Sequence, residues 1–126
     1  MITSLYILPL TLILLYMFYR IIKYRRGLRI GLGDGGDLRL NQAIRAHGNF
    51  IEVVPFALII MFLLEMEGAP AWALHLYGAA LVISRIAHAQ GMYQSAGESL
   101  GRMIGTITTL FLFLAGSAGL FITVAL

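Results

Sequence analysis

The chain has 126 residues, of which 60% are hydrophobic and 12% charged, and its mean hydropathy is +0.86. Soluble domains are nearer a quarter charged, so this composition excludes an ordinary soluble domain and indicates an integral membrane protein. The formal net charge is +3 and there is no cysteine, so any thiol chemistry must use a thiol supplied by a ligand.

Four apolar runs predict four membrane-spanning helices. They are Ile2 to Tyr19, Val53 to Leu64, Gly68 to Ser84 and Met103 to Leu126. The second run is too short for a bilayer core about 30 Å thick, but adding Ala43 to Glu52 gives a full-length helix whose first turns are polar. Residues 1–126 are therefore predicted to form one all-α domain, a four-helix transmembrane bundle.

The segment between the first and second spans predicts the orientation. Cytoplasmic loops are enriched in Lys and Arg, so this segment should be cytoplasmic and both termini outside. Its basic residues are Arg20, Lys23, Arg25, Arg26, Arg29 and Arg39. They follow the first apolar run, which favours a retained anchor over a cleaved signal peptide. Gly31 to Asp37 predicts a tight turn, and a phosphate-cradling loop is disfavoured because the P-loop lysine and hydroxyl are missing.

The sequence Arg45-Ala46-His47-Gly48-Asn49-Phe50-Ile51-Glu52 brings polar side chains into the start of the second span. Arg45, Asn49 and Glu52 are spaced i, i+4, i+7, so on a helix they project from one face. Ionisable groups in a membrane span usually turn toward the protein interior or a wet cavity, where they pair with each other or with a ligand.

A second polar group lies near the end of the third span. Arg85 and His88 are spaced i, i+3, and Gln90, Tyr93, Gln94, Ser95 and Arg102 are expected in the return loop that follows. If spans two and three pack together, a pocket with excess positive charge results. Its predicted members are Arg45, His47, Asn49, Glu52, Arg85, His88 and Arg102.

Such a pocket suits a small polyanionic ligand. The alternative is an interhelical salt bridge of Arg85 or Arg45 with Glu52 that satisfies buried charge. We expect no metal site, because His47 and His88 come from different helices and only Glu52 is an obvious third ligand.

Small residues predict close helix packing at the fourth span. Gly97, Gly101 and Gly105 follow one another at small-xxx-small spacing, with Ala115 and Gly119 further along. This packing can lie within one chain or between copies. Because four helices enclose little volume, oligomerisation would help to form both a polar site and an apolar cleft.

The whole chain resembles the MAPEG superfamily, membrane-associated proteins in eicosanoid and glutathione metabolism, and within it the small bacterial YecN-like branch. The resemblance rests on Arg45-Ala46-His47-x-Asn49-x-x-Glu52, which is similar to the second-helix motif of microsomal glutathione transferases. Arg85-Ile86-Ala87-His88 and the turn Gly33-Asp34-Gly35-Gly36 support it. It implies a four-helix protomer in a homotrimer, with glutathione held between neighbouring protomers on the cytoplasmic side.

The resemblance also implies roles for individual residues. Asn49 and Glu52 would bind the peptide and its ammonium, Arg85 and His88 would contact it from the third helix, and Arg102 would stabilise the thiolate. A basic residue of the first helix, Arg20, Lys23 or Arg26, would bind a carboxylate. Arg45, His47 and Tyr93 complete the expected glutathione-binding set; Tyr93 follows Met92, where relatives have a tyrosine.

The implied function is a glutathione-dependent transferase or peroxidase acting on lipophilic electrophiles or hydroperoxides in the bacterial inner membrane. The expected partners are glutathione, a lipophilic small-molecule substrate, membrane lipid and two further copies of the chain, with no nucleic acid. A noncatalytic lipid-binding or scaffold protein of the same fold is the alternative. A channel is disfavoured because the polar motif lies near the membrane surface.

Overall fold

Four α-helices make up the protein in the computed structural model, which describes residues 1–125. They are α1 (Thr3–Leu28), α2 (Leu38–Met66), α3 (Ala71–Gln94) and α4 (Leu100–Ala125). No strand occurs in this range, and α1 and α2 continue through Pro9 and Pro55. The predicted all-α architecture is confirmed, and the polar stretch Ala43 to Glu52 belongs to α2 as predicted.

Three of these helices, α1, α2 and α4, are long and apolar enough to cross a membrane. Their exposed surfaces carry large apolar side chains from end to end, for example Leu5, Leu12, Phe56, Phe111 and Phe121. Such apolar surfaces are suited to contact with the lipid of a membrane. The helix α3 differs because polar and ionisable side chains, including the buried Arg85 and His88, interrupt its apolar run.

The helices run alternately up and down, so that two sets of ends form opposite faces of the bundle. At one face Glu65, near the end of α2, accepts hydrogen bonds from the backbone N–H groups of Ile2 and Thr3 at the start of α1. Tyr6 and His75 hydrogen-bond at the same face, joining α1 to α3. We call the opposite face, where α1 and α3 end and α2 and α4 begin, the basic end.

The connection between α1 and α2 is an ordered turn. Arg29 ends α1 in the left-handed conformation with φ 55°, and Gly33, Gly35 and Gly36 also have positive φ. Asp34 accepts hydrogen bonds from the Gly36 N–H at 3.0 Å and from the Asn41 side chain. These donors favour the ionised carboxylate and hold the pKa of Asp34 below its usual value of 3.8. The predicted tight turn is confirmed.

The end of α3 lies further along the chain than the apolar pattern indicates. We expected Gln90, Tyr93 and Gln94 in a return loop, but α3 continues through them to Gln94. Arg102 is likewise in the first turn of α4 and not in the loop. The expectation was wrong because it followed hydropathy, whereas a helix that packs on protein continues through polar residues.

Glycines allow α3 and α4 to pack closely. A Cβ atom on Gly105 would lie 2.5 Å from the His88 Cβ, and one on Gly101 would lie 2.5 Å from the Ala87 carbonyl oxygen. These two glycines therefore pack within the chain, which decides between the two alternatives that their spacing left open. Gly97 lies before α4 and makes no such approach.

Candidate functional site

A buried arginine links three helices near the basic end. Arg85, on α3, is only 2% exposed and donates from Nη1 to the Asn49 side-chain oxygen on α2 at 2.9 Å. Its Nη2 donates to the Gly105 carbonyl and to the Thr109 hydroxyl on α4, both at 2.6 Å. All three acceptors are neutral, so the positive charge of this guanidinium is solvated by dipoles and is not neutralised.

An open groove of about 730 Å³ lies beside this cluster. Asn49 and His88 form its inner wall, and the start of α4 forms the rest. The lining residues from that region are Glu98, Ser99, Leu100, Arg102, Met103, Thr106 and Ile107. The groove thus combines polar groups near the basic end with exposed apolar side chains further along α4, namely Met103 and Ile107. Its volume falls within the usual range for small-molecule sites.

Arg102 stands at the N-terminus of α4, on the rim of the groove. The Ser99 hydroxyl accepts from the Arg102 N–H at 3.4 Å, and the Arg102 guanidinium donates to the Gly97 carbonyl. Free N–H groups at a helix N-terminus attract anions, as does a guanidinium. An anionic group placed here would meet both the helix terminus and a cation.

Arg45 and Glu52 are exposed and point away from the interior of the chain. The buried side of α2 is formed instead by Leu40, Ala43, Ala46, Phe50, Val54, Ala57, Ile60 and Met61. Within residues 1–125 no ion pair of 4.0 Å or less joins Glu52 to Arg45 or Arg85, so the salt bridge named above as the alternative to a ligand pocket is not found in the single chain. Arg45, Asn49 and Glu52 were predicted to share one face of α2. Of these three residues, Asn49 alone hydrogen-bonds to Arg85.

Three other predicted site residues lie on the α1 side of the bundle. His47 packs edge-to-face on Phe18 of α1, with ring centroids 4.9 Å apart. The Tyr93 ring lies under the Arg20 guanidinium, and Arg26 is exposed on α1. The structure therefore brings together Asn49, Arg85, His88 and Arg102, whereas Arg45, His47, Glu52, Tyr93 and Arg26 lie elsewhere on the same chain.

Sequence reasoning missed Thr109 and Ser99. Thr109 follows Gly105 at small-xxx-small spacing, which is a signal for a helix contact although not for an arginine partner. Ser99 stands directly before α4, where Ser is a common N-cap residue. No group of three or more His, Asp or Glu side chains within residues 1–125 is arranged to hold a metal ion.

Comparison with known proteins identifies the family of this chain. Residues 3–122 match the MAPEG family model. Inner membrane protein YecN of Escherichia coli (strain K12) is 36% identical over 93 residues, which is 74% of this chain and 71% of that protein. The protein of the same name from Escherichia coli O6:H1 (strain CFT073) matches with the same identity and coverage. The chain therefore belongs to the MAPEG family of membrane proteins.

Proposed function

We propose that the protein is a glutathione-dependent membrane transferase or peroxidase whose thiolate forms in the groove between α2, α3 and α4. The observation that supports this most is the position of Arg102 and the α4 N-terminus on the same groove as Asn49 and His88. Glutathione carries two carboxylates, one ammonium and one thiol, and therefore needs guanidinium and carboxylate partners and a cation near the sulfur.

The proposed chemical step is attack by the thiolate. A cation and a helix N-terminus lower the pKa of a nearby thiol, so Arg102 favours the sulfur anion at neutral pH. In the transferase reaction the thiolate sulfur bonds to an electrophilic carbon and the leaving group departs with its electron pair. In the peroxidase reaction two glutathione molecules reduce a hydroperoxide to an alcohol and water and become glutathione disulfide.

The remaining polar residues position the peptide. Asn49 and His88 line the groove, and Arg85 holds the Asn49 amide from behind, which fixes its orientation. A substrate held in this way reacts as if at high local concentration. The apolar part of the groove, including Met103 and Ile107, would receive a lipophilic electrophile from the bilayer.

A homotrimer would complete this site. Arg45 and Glu52 are exposed on a membrane helix, where contact with lipid is costly. A second copy packed on this side of α2 would cover both residues. It would also bring Glu52 and an exposed basic residue of α1, Lys23 or Arg26, from different protomers to one ligand, as expected for glutathione bound between protomers.

We further propose that α3 crosses the membrane with the other three helices and that the basic end faces the cytoplasm. Its 24 residues span about 36 Å, enough for a bilayer core. All nine Lys and Arg residues lie nearer the basic end than the opposite end of their helices, which favours a cytoplasmic position by the positive-inside rule. Both termini are then outside.

The test is product formation by the purified protein in detergent. With glutathione and a lipophilic aryl halide, mass spectrometry should detect the thioether at a rate well above that of the uncatalysed reaction. A lipid hydroperoxide should give the alcohol and glutathione disulfide. Loss of both products in Arg102→Ala, with retention in Arg29→Gln, supports the proposal. Equal rates with and without protein would contradict it.

A noncatalytic scaffold or lipid-binding protein is the second candidate function. The observation in its favour is that Arg85 has internal acceptors for both terminal nitrogens, as a purely structural arginine would. Glu52→Gln separates the two functions. An enzyme should lose glutathione affinity in this variant, whereas a scaffold should lose mainly trimer stability, as measured by size-exclusion chromatography with light scattering.

A further inference from the structure

A second groove lies between α1 and α3, on the other side of the bundle from the candidate site. Its volume is about 610 Å³, and Leu12, Ile13, Met17 and Ile86 supply much of its apolar wall. Toward the basic end the lining changes to Arg20, Gln90, Tyr93 and Gln94. One groove thus has an apolar part at the depth of the bilayer and a polar part near the membrane surface.

A smaller polar groove of about 340 Å³ continues from this end. Arg20, Tyr93 and Gln94 line both grooves, and Arg39 and Gln42 from the start of α2 extend the polar part. No Asp or Glu lines either groove among the described residues. The polar part of these two connected grooves therefore carries two guanidinium groups, those of Arg20 and Arg39, and no negative charge.

Arg20 is held in place by aromatic residues. Its Nη1 and Nη2 donate to the hydroxyls of Tyr16 at 3.2 Å and Tyr24 at 3.1 Å. Its guanidinium carbon lies 3.9 Å from the centroid of the Tyr93 ring. These partners are neutral, so they orient the guanidinium without neutralising it.

Two buried polar atoms at this position have no partner within residues 1–125. They are the Arg20 Nε and the Tyr93 hydroxyl oxygen. Both groups can donate a hydrogen bond, and a buried donor without an acceptor is costly. A phosphate group in the groove would neutralise the guanidinium, which no residue lining the two grooves does.

We propose that the groove between α1 and α3 binds an anionic phospholipid, with its phosphodiester at Arg20 and Arg39 and an acyl chain along Leu12 and Ile86. The apolar part matches an acyl chain and the cationic polar part matches the phosphate. Basic pockets between membrane helices near an anionic membrane surface recognise such head groups. This site is separate from the glutathione groove and shares no lining residue with it.

Native mass spectrometry of the detergent-purified protein tests the proposal with phosphatidylglycerol and phosphatidylcholine of identical acyl chains. We expect phosphatidylglycerol to bind roughly tenfold or more tightly than the zwitterionic lipid, because both carry a phosphodiester but only phosphatidylcholine also brings a positive ammonium close to the two guanidinium groups. Arg20→Gln should lose that preference, and Arg20→Lys should recover part of it. Arg29→Gln removes an equal charge from an exposed position outside both grooves and should keep it. Equal binding of the two lipids to the wild-type protein would overturn the proposal.

Photocrosslinking of the wild-type protein with a photoreactive phosphatidylglycerol locates the bound lipid. This result does not depend on whether a variant folds. We expect the acyl chain to label the segments of α1 and α3 around Leu12 and Ile86. Uniform labelling that includes Phe111 on the exposed side of α4 would mean only surrounding bilayer lipid and would overturn the site. Because the chain lacks cysteine, Gln90→Cys provides a single thiol. A disulfide between copies through it would place a second copy in the groove, which also contradicts the proposal.

Discussion

Arg85 Nη1 donates a 2.9 Å hydrogen bond to the Asn49 side-chain oxygen, and this contact joins the polar motif of α2 to α3. The same guanidinium reaches Gly105 and Thr109 on α4. One buried side chain therefore fixes the relative positions of the three helices that form the groove of the candidate site. Changes that disturb it should affect both stability and ligand binding.

Thr109→Val should destabilise the protein by about 1–3 kcal/mol, because it leaves a buried charged donor without one acceptor. Thr123→Val is the matched control. Both threonines donate to the carbonyl four residues earlier, but only Thr109 also accepts from Arg85. Unfolding in mixed detergent micelles measures the difference. Equal midpoints for the two variants would show that the contact contributes no stability.

Gly105→Ala should destabilise the α3–α4 packing by about 1–3 kcal/mol, since the added methyl group overlaps His88 and the Ser84 carbonyl. Gly27→Ala, on α1, meets nothing within 4 Å and should be neutral or slightly stabilising. Thermal unfolding followed by circular dichroism compares them. A Gly105→Ala protein as stable as Gly27→Ala would mean that α3 and α4 are less closely packed.

Arg102→Ala should lower the fraction of bound glutathione present as thiolate at neutral pH by roughly tenfold or more, because the nearby cation is lost. Glutathione binding should be largely retained. The ultraviolet difference spectrum of the bound thiol reports the thiolate, and Arg102→Lys, which keeps the charge, should preserve part of the signal. A full thiolate signal in Arg102→Ala would assign activation to another group.

Acid should loosen the turn between α1 and α2. The pKa of Asp34 is depressed in the folded protein by the Asn41 side chain and the Gly36 N–H. The stabilisation is therefore complete at pH values above the usual carboxyl pKa and is lost as the pH falls through the depressed value. Hydrogen exchange at the Gly36 amide, compared between wild type and Asp34→Ala, measures the contribution of this hydrogen bond. We expect faster exchange in Asp34→Ala at pH 7, because alanine has no side-chain acceptor, and identical exchange would contradict the assigned hydrogen bond.

Much of the fold follows from the sequence because hydropathy and glycine placement are local signals. The four helices and the turn at Gly33, Gly35 and Gly36 could be predicted, whereas the end of α3 could not, since Gln90 and Gln94 are polar residues on a packed helix. Local patterns do not show which polar side chains face one another.

The site was harder to predict because successive residues of an α-helix are rotated by about 100° around the helix axis, so side chains that are close in sequence face different neighbours. Asn49 faces Arg85, while His47, two positions earlier, faces Phe18 on α1. Tyr93 is five residues beyond His88 and consequently packs on Arg20, away from the groove of the candidate site. The sequence did not indicate that Thr109 would accept a hydrogen bond from Arg85, because a threonine in an apolar run usually hydrogen-bonds only to its own helix.

The most direct test of the proposed function is a calorimetric titration of the detergent-purified protein with glutathione. Glutathione disulfide and an Arg45→Ala/Glu52→Gln double variant serve as controls. We predict saturable binding of glutathione to the wild-type protein that is lost in the double variant and much weaker with the disulfide. Absence of binding at millimolar glutathione would contradict the proposed enzyme and favour the scaffold function.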